Sequence, residues 1–166
     1  MIIKAFEIEK KLLKNKIYLF YGKNDGQKKE IIERKFSKNF KENTFKYSEK
    51  EIFSNLENFY NNLQSQSFFE KEKLIIINEV SDKIVKEMES VLEKNIEGIT
   101  LILISDILEK KSKLRNLFEK DKNLICVPFY GDNTQTLAMI ARSFFNEKKI
   151  PVSQEIINLL INRANE

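Results

Sequence analysis

Apolar runs that alternate with helical patterns constrain the fold of this chain more than any other feature. Residues 74–78 and 100–105 are unbroken and rich in Ile, as expected for strands that are covered on both faces of a sheet. Three further strand-like runs occupy residues 17–21, 44–48 and 124–129. Because strands that alternate with helices form βαβ units, the pattern predicts a three-layer α/β fold, a parallel five-stranded sheet with helices on both faces.

Helical stripes separate the predicted strands. In chain order, the four stripes consist of Ile31, Ile32, Lys35 and Phe36; Ile52, Leu56, Phe59 and Leu63; Ile84, Met88, Val91 and Leu92; and Leu114, Leu117 and Phe118. Ser112 precedes the last stripe and is predicted to cap that helix, because a Ser side chain accepts a hydrogen bond from an unpaired N–H of the first turn. A Gly-containing turn follows the first strand, which we expect near the centre of the sheet.

The pattern changes after Gly131. Two helical stripes follow, the second of them predicted to be capped by Ser153, and no further strand-like run appears. We therefore expect an α/β domain over residues 1–131 and the beginning of a helical lid domain over residues 132–166. Two helices make a poor core by themselves, so the chain is expected to be a fragment of a longer protein.

Composition excludes several classes of site. The 166 residues contain no His and one Cys, which excludes His-based triads, His metal ligands and zinc clusters of several thiolates. We expect no catalytic residues, no metal and no cofactor, and an inert buried thiol at Cys126. No apolar run approaches the roughly 20 residues that span a bilayer, and no secretory signal is recognisable, so we expect no membrane contact and a cytoplasmic protein.

A net charge of +4 raises the alternative of a nucleic-acid-binding module. Base recognition favours Arg, yet only four of the 29 basic residues are Arg. The Lys residues alternate with Glu along the predicted helix faces. This pattern indicates a solvated surface more than a binding site.

The turn after the first strand, which we call the degenerate loop (residues 22–29), almost matches a phosphate-binding loop. Such a loop reads Gly, four residues, Gly, Lys, then Ser or Thr. Gly22 and Lys28 match the motif, but Gln27 occupies the position of the second Gly, and Lys29 occupies the position of the Ser or Thr. The sequence favours an inactive relative or an ordinary strand-to-helix turn, and disfavours the alternative of a divergent P-loop NTPase.

The end of the third strand supports the same interpretation. Asn78 occupies the position where a metal-binding Asp is usual, and Glu79 lies one place too late for that ligand. The residues that would contact Mg²⁺ are therefore missing both from the degenerate loop and from the end of the third strand.

Two adjacent aromatic residues, Phe68 and Phe69 (the Phe pair), lie in a polar connection between the second helix and the third strand. One can pack on the core while the other lies on the surface by chance. Alternatively, large apolar side chains on an exposed connection form the kind of anchor that enters a pocket of a partner protein.

Taken in order, these segments resemble the N-terminal part of the delta subunit of bacterial DNA polymerase III. The resemblance rests on "IYLFYGKND", the Phe pair before "KEKLIIIN", "LILISDILEKKSKL" and "FFNEKKIPVSQEIINLL". It implies an AAA+-type module that has lost nucleotide binding and has no ATPase activity of its own.

The resemblance also implies partners. The family binds and opens the ring-shaped sliding clamp, the beta subunit, during DNA replication through an apolar plug before the third strand. Gln64, Phe68 and Phe69 fall on that pattern. Other clamp-loader subunits would bind through a C-terminal collar domain that is absent from this chain, and DNA would be contacted only indirectly.

Overall fold

A parallel β-sheet organises the first of two units into which the chain divides, Met1–Tyr130 and Gly131–Glu166. The structure is a computed structural model and describes residues 1–10, 16–40, 43–64, 72–94 and 97–164. The strands are β1 (Ile17–Gly22), β2 (Thr44–Ser48), β3 (Lys73–Asn78), β4 (Ile99–Ser105) and β5 (Leu124–Phe129). All five predicted strands are therefore confirmed to within one residue at each end.

The strands are parallel and lie in the order β2-β3-β4-β1-β5. The central strand is β4, and β1 lies next to it as an inner strand, with Leu19 aligned to Leu103 on one side and to Cys126 on the other. All five strands end at one edge of the sheet, which we call the carboxyl edge. The turn after β1 therefore lies between the ends of β4 and β5.

Alternate side chains of each strand enter two separate cores, as the two-residue period of a strand requires. Leu19 and Ile75 belong to one buried cluster, whereas Phe20 and Ile76 belong to the other. Helices cover both faces, so the predicted fold class is confirmed.

The first unit contains seven α-helices in the described part of the chain. They are α1 (Ala5–Lys10), α2 (Asp25–Ile31), α3 (Lys38–Phe40), α4 (Glu49–Ser54), α5 (Leu56–Gln64), α6 (Val85–Glu93) and α7 (Lys113–Lys120). A π-helical segment (Ile32–Ser37) joins α2 to α3, and a 3₁₀ turn (Asp82–Ile84) precedes α6. Helices α4 to α7 supply residues to the Leu19 core, and α1 and α2 supply residues to the Phe20 core.

The stripe from Ile52 to Leu63 and the start of α2 differ from the sequence prediction. The stripe from Ile52 to Leu63 is two helices, because Asn55 has φ −151° and ψ 73° and interrupts the helical backbone. The helix after β1 starts at Asp25, well before its first apolar residue, because Asn24 caps it. The predicted caps of α7 and of the last helix are confirmed: Ser112 accepts the Arg115 N–H at 3.2 Å, and Ser153 accepts the Ile156 N–H at 3.4 Å.

The second unit contains helices α8 (Thr134–Glu147) and α9 (Gln154–Ala164). Asn133 and Thr136 form a reciprocal capping box at the start of α8, with N–H···O distances of 2.9 and 2.7 Å. Ile157 and Ile161 are buried. Several large apolar side chains of both helices are exposed, namely Met139, Ile140, Phe144, Ile156, Leu159 and Leu160.

None of the helices in the described ranges has the combination of length and apolar character that crossing a bilayer requires.

Candidate functional site

The degenerate loop is joined by its backbone to the ends of both strands that flank β1. The Gly22 N–H donates to the Asp106 carbonyl at 3.1 Å, beyond β4, and the Asn24 N–H donates to the Phe129 carbonyl at 3.4 Å, at the end of β5. Gly22 has φ +125°, and a Cβ added there would lie 2.1 Å from the Phe129 carbonyl oxygen. Only Gly combines this backbone conformation with so close an approach.

The N-terminus of α2 is capped by a side chain of the chain itself. Asn24 Oδ1 accepts the Gln27 N–H at 3.0 Å, and Asp25 adds a carboxylate to the first turn. In a working phosphate-binding loop, the free N–H groups and the positive end of the helix dipole face the phosphates. Here a side-chain oxygen and a negative charge already occupy part of that environment.

Lys28 is the loop residue whose position in the structure differs most from its expected one. Its side chain is only 2% exposed. The ammonium donates to the Gly22 carbonyl at 2.8 Å and to the Ser105 carbonyl at 3.0 Å, and it lies 2.7 Å from Asp25 Oδ1. A lysine at this position of a P-loop reaches the phosphates, whereas this one is directed to the ends of β1 and β4. Lys29 is exposed.

Asn78 at the end of β3 binds to the neighbouring strand. Its Nδ2 donates to the Tyr47 carbonyl of β2 at 3.3 Å. The exposed Glu79 that follows has φ +56°. Within the described ranges, no group of three or more metal-ligating residue types lies close enough to hold a metal ion.

Two carboxylates that the sequence interpretation missed fix the turns of the carboxyl edge. Glu49 accepts hydrogen bonds from the Ser81 N–H at 2.8 Å and from the Ser81 hydroxyl at 2.9 Å. Asp82 accepts from the Ser112 hydroxyl at 2.6 Å and from the Leu114 N–H at 3.0 Å. In the sequence, only the cap at Ser112 signalled this network, because the acidic partners lie about 30 residues away.

The pKa of Asp82 reflects this arrangement. Partial burial acts to raise the pKa, but the hydrogen bonds from Ser112 and from the backbone outweigh it and hold the pKa below its usual value. The ionised form of Asp82 is therefore part of the native structure.

Next to the loop, Tyr21 and Arg115 pack against each other. The Arg115 guanidinium carbon lies 5.0 Å from the centre of the Tyr21 ring, and Arg115 also binds Glu119 at 2.6 Å and the Leu108 carbonyl at 3.1 Å. Burial raises the pKa of Tyr21 to about 12. Arg115 is thus held by the fold from three sides.

The predicted clamp-binding residues are not brought near the degenerate loop. Gln64 is exposed at the last residue of α5, before the start of β3 and hence at the opposite edge of the sheet. Phe68 and Phe69 lie outside the described residues. On either side of them, the Lys73 ammonium donates to the Asn62 carbonyl and Lys16 forms an ion pair with Glu72.

Tyr60 ties α5 to α6 close to this edge. Its hydroxyl donates to the Glu87 carboxylate, and the Lys94 ammonium lies 4.1 Å from the centre of its ring. Burial first, and then the hydrogen bond to Glu87, raise the pKa of Tyr60. The helix that ends at Gln64 is therefore fixed on its sheet and on its neighbour.

Comparison with solved structures identifies similar folds. The Bacillus subtilis DNA clamp loader delta protein (YqeN) matches with a TM-score of 0.66 and 16% sequence identity, over 95% of this chain and 51% of that one. This chain thus spans about half the length of that protein. At this level of identity the likeness shows the fold alone, an α/β fold with a five-stranded parallel sheet and helices.

Two replication initiators are more distant. Domain III of the Thermotoga maritima protein DnaA gives a TM-score of 0.44 at 13% identity, over 95% of this chain and 72% of that one. A DnaA bound to AMPPCP and single-stranded DNA gives a TM-score of 0.47 at 17% identity, over 95% and 53% of the two chains. No protein of curated function matched the sequence.

The sequence profile of one protein family, described as DNA polymerase III, delta subunit, matches residues 18–129. The match covers all five strands except Ile17, the first residue of β1, and more than half of the chain. The chain therefore belongs to the DNA polymerase III delta subunit family.

Proposed function

We propose that this chain is the N-terminal part of a clamp-loader subunit that binds and opens the sliding clamp during DNA replication without hydrolysing ATP itself. The observation that carries the proposal is the family match over residues 18–129. The solved structure that matches over almost the whole of this chain is itself described as a DNA clamp loader delta protein.

The geometry of the degenerate loop supports a role without nucleotide. Asn24 already accepts the Gln27 N–H, and the Lys28 ammonium has its partners inside the fold. Asn78 offers an amide in place of a metal-binding carboxylate and is itself bound to β2. Neither the phosphates nor Mg²⁺ would find the contacts that a working site supplies.

Calorimetric titration of the chain with ATP·Mg²⁺ tests this part of the proposal. We expect no heat of binding at micromolar nucleotide. A dissociation constant in the low micromolar range, equivalent to about −8 kcal/mol, would contradict it.

For the clamp contact, we propose that the Phe pair enters an apolar pocket of the clamp and that Gln64 contributes a weaker polar contact. The described residues nearest to the Phe pair make contacts within the first unit. Lys73 binds Asn62, and Glu72 binds Lys16. Large apolar side chains in a polar connection are the kind of anchor that enters a pocket of a partner protein.

A binding assay with the sliding clamp of the same organism, with and without ATP·Mg²⁺, tests the combined proposal. We expect this chain to bind the clamp equally well under both conditions, because its loop has no nucleotide to exchange. Binding that appears only with ATP would contradict the proposal, as would the absence of binding under either condition.

The second unit, in this proposal, is the beginning of a helical lid domain (residues 132–166) that follows an AAA+-like domain (residues 1–131). Other clamp-loader subunits would bind through a collar domain further along the whole protein, and DNA would be contacted only indirectly. A replication role places the protein in the cytoplasm.

A further inference from the structure

The Lys28 ammonium lies where three different elements of the carboxyl edge meet. Gly22 ends β1, Ser105 ends β4 and Asp25 begins α2. Each supplies one oxygen within 3.0 Å of Lys28 Nζ. We propose that Lys28 is a positioning residue, whose ammonium holds these three elements together in the place where a P-loop would hold a bound phosphate ligand.

The three N–H donors of the Lys28 ammonium match its three oxygen acceptors in number, and its positive charge matches the negative charge of Asp25. An ammonium has three N–H donors and no acceptor, and Lys28 meets two carbonyl oxygens and one carboxylate oxygen. Its donors are therefore all used inside the fold, and none remains for a phosphate. The three acceptors in turn form a small cradle for a cation, with the negative charge of Asp25 on its outer side.

Burial makes this contact important for the fold. Lys28 is 2% exposed and Ser105 is 4% exposed, so water has little access to the ammonium or to the Ser105 carbonyl at the end of β4. The Gly22 carbonyl at the end of β1 is partly buried. Buried polar groups that lose their partner destabilise a fold strongly, because they have given up water without compensation. Without the ammonium, the cradle would contain acceptors alone.

One consequence concerns the state of the loop. In nucleotide-binding relatives of this architecture, ligand phosphates complete the contacts of the loop. Here Lys28 completes them from within, so the carboxyl edge keeps one arrangement regardless of nucleotide. This role of Lys28 is independent of any contact with the clamp.

Chemical rescue tests the proposal. Lys28→Ala removes the ammonium and three methylene groups and leaves a space that n-propylammonium matches in length and charge. Lys28→Met keeps most of the stem and leaves no such space. Lys29→Ala removes the neighbouring exposed lysine and serves as the matched control. Melting temperatures are measured for all variants in n-propylammonium chloride and, at equal ionic strength, in tetramethylammonium chloride, whose cation has no N–H donor.

We expect both Lys28 variants to melt roughly 5–10 °C below the wild type, from the loss of charged buried hydrogen bonds, while Lys29→Ala melts with the wild type. We further expect n-propylammonium to restore about half or more of the loss in Lys28→Ala alone, and tetramethylammonium to restore none. If Lys28→Ala does not accumulate in folded form, refolding from urea in the two salts gives the same comparison.

Two outcomes would overturn the proposal. One is a Lys28→Met variant as stable as the wild type, since the stem alone would then suffice. The other is a destabilised Lys28→Ala variant that responds equally to both salts or to neither, which would attribute the loss to packing of the stem and not to its ammonium.

Discussion

Gly22 offers the sharpest test of how the carboxyl edge is built, through the substitution Gly22→Ala. A residue with a side chain at φ +125° costs about 1–3 kcal/mol in backbone strain. The added Cβ would lie 2.1 Å from the Phe129 carbonyl oxygen, so the loop must move away. That movement stretches the hydrogen bonds of 3.1 Å to Asp106 and 3.4 Å from Asn24, each of which contributes about 0.5–1.5 kcal/mol.

The expected destabilisation is therefore about 2–6 kcal/mol. At roughly 2–4 °C per kcal/mol for a domain of this size, Gly22→Ala should melt about 10 °C below the wild type in a thermal scan followed by circular dichroism.

Gly26→Ala is the matched control, four residues along the same loop. Its added Cβ meets only Asn24 Oδ1 at 3.7 Å, an ordinary contact, and the position lies inside α2. Ala in a helix is favoured over Gly by about 0.8–1 kcal/mol, so this variant should melt at or slightly above the wild-type temperature. Equal melting temperatures for the two variants would refute the close approach of the loop to β5.

Three further predictions follow from the other contacts. Asp82→Asn should be less stable than the wild type near pH 7, and the difference in stability should shrink as the pH falls below about 3.8, because the depressed pKa of Asp82 gives stability that is lost on protonation. Melting temperatures of the two proteins from pH 7 to about 2.5 measure this difference, and a difference that stays constant with pH would contradict the expectation. Cys126, whose burial raises the pKa of its thiol to about 12, should react with a disulfide reagent at pH 8 only after denaturant is added, and rapid native labelling would argue against its burial. Hydrogen exchange should be faster in residues 132–166 than in residues 74–78 and 100–105, because the two helices of the second unit leave much apolar surface uncovered. Equal protection from exchange in the three ranges would mean that this apolar surface is covered in solution.

The strands were predictable because a strand that is buried on both faces of a sheet consists almost entirely of apolar residues. Ile75 and Leu101 face one core, Ile76 and Ile102 face the other, and all four are at most 3% exposed. Such positions tolerate little except apolar, mostly β-branched or leucine side chains. Ser112 was predictable for a different reason, since a cap is a local contact between a side chain and a backbone group three residues away.

Other features depend on contacts that are distant in sequence. Met1–Ile3 lies against β5, with the Ile3 N–H donating to the Cys126 carbonyl at 3.0 Å, and no local pattern signals this pairing. The break at Asn55 was missed because the apolar spacing continues across it with helical periodicity.

The candidate site was predictable only in part. The sequence identified which loop positions lack P-loop chemistry, but it placed Lys28 among the retained features. Its inward direction brings hydrogen bonds to the Gly22 and Ser105 carbonyls, and these two groups lie close together only because β1 and β4 are neighbours in the sheet. The role of Phe68 and Phe69 stays a prediction.

The most direct test of the clamp-binding proposal is the affinity of the sliding clamp for the double variant Phe68→Ala with Phe69→Ala, measured by biolayer interferometry. Phe53→Ala is the control, because Phe53 is 40% exposed on α4 and is not part of the proposed plug. We predict that the double variant binds at least about thirtyfold more weakly, a loss of about 2 kcal/mol for a central aromatic anchor. Its melting temperature should match that of the control.

The contradicting result is equally specific. Unchanged clamp affinity in a folded double variant would remove the Phe pair from the interface. A large fall in melting temperature, equivalent to the ~3–5 kcal/mol that core phenylalanines contribute, would place the pair in the core of the protein instead of at the clamp.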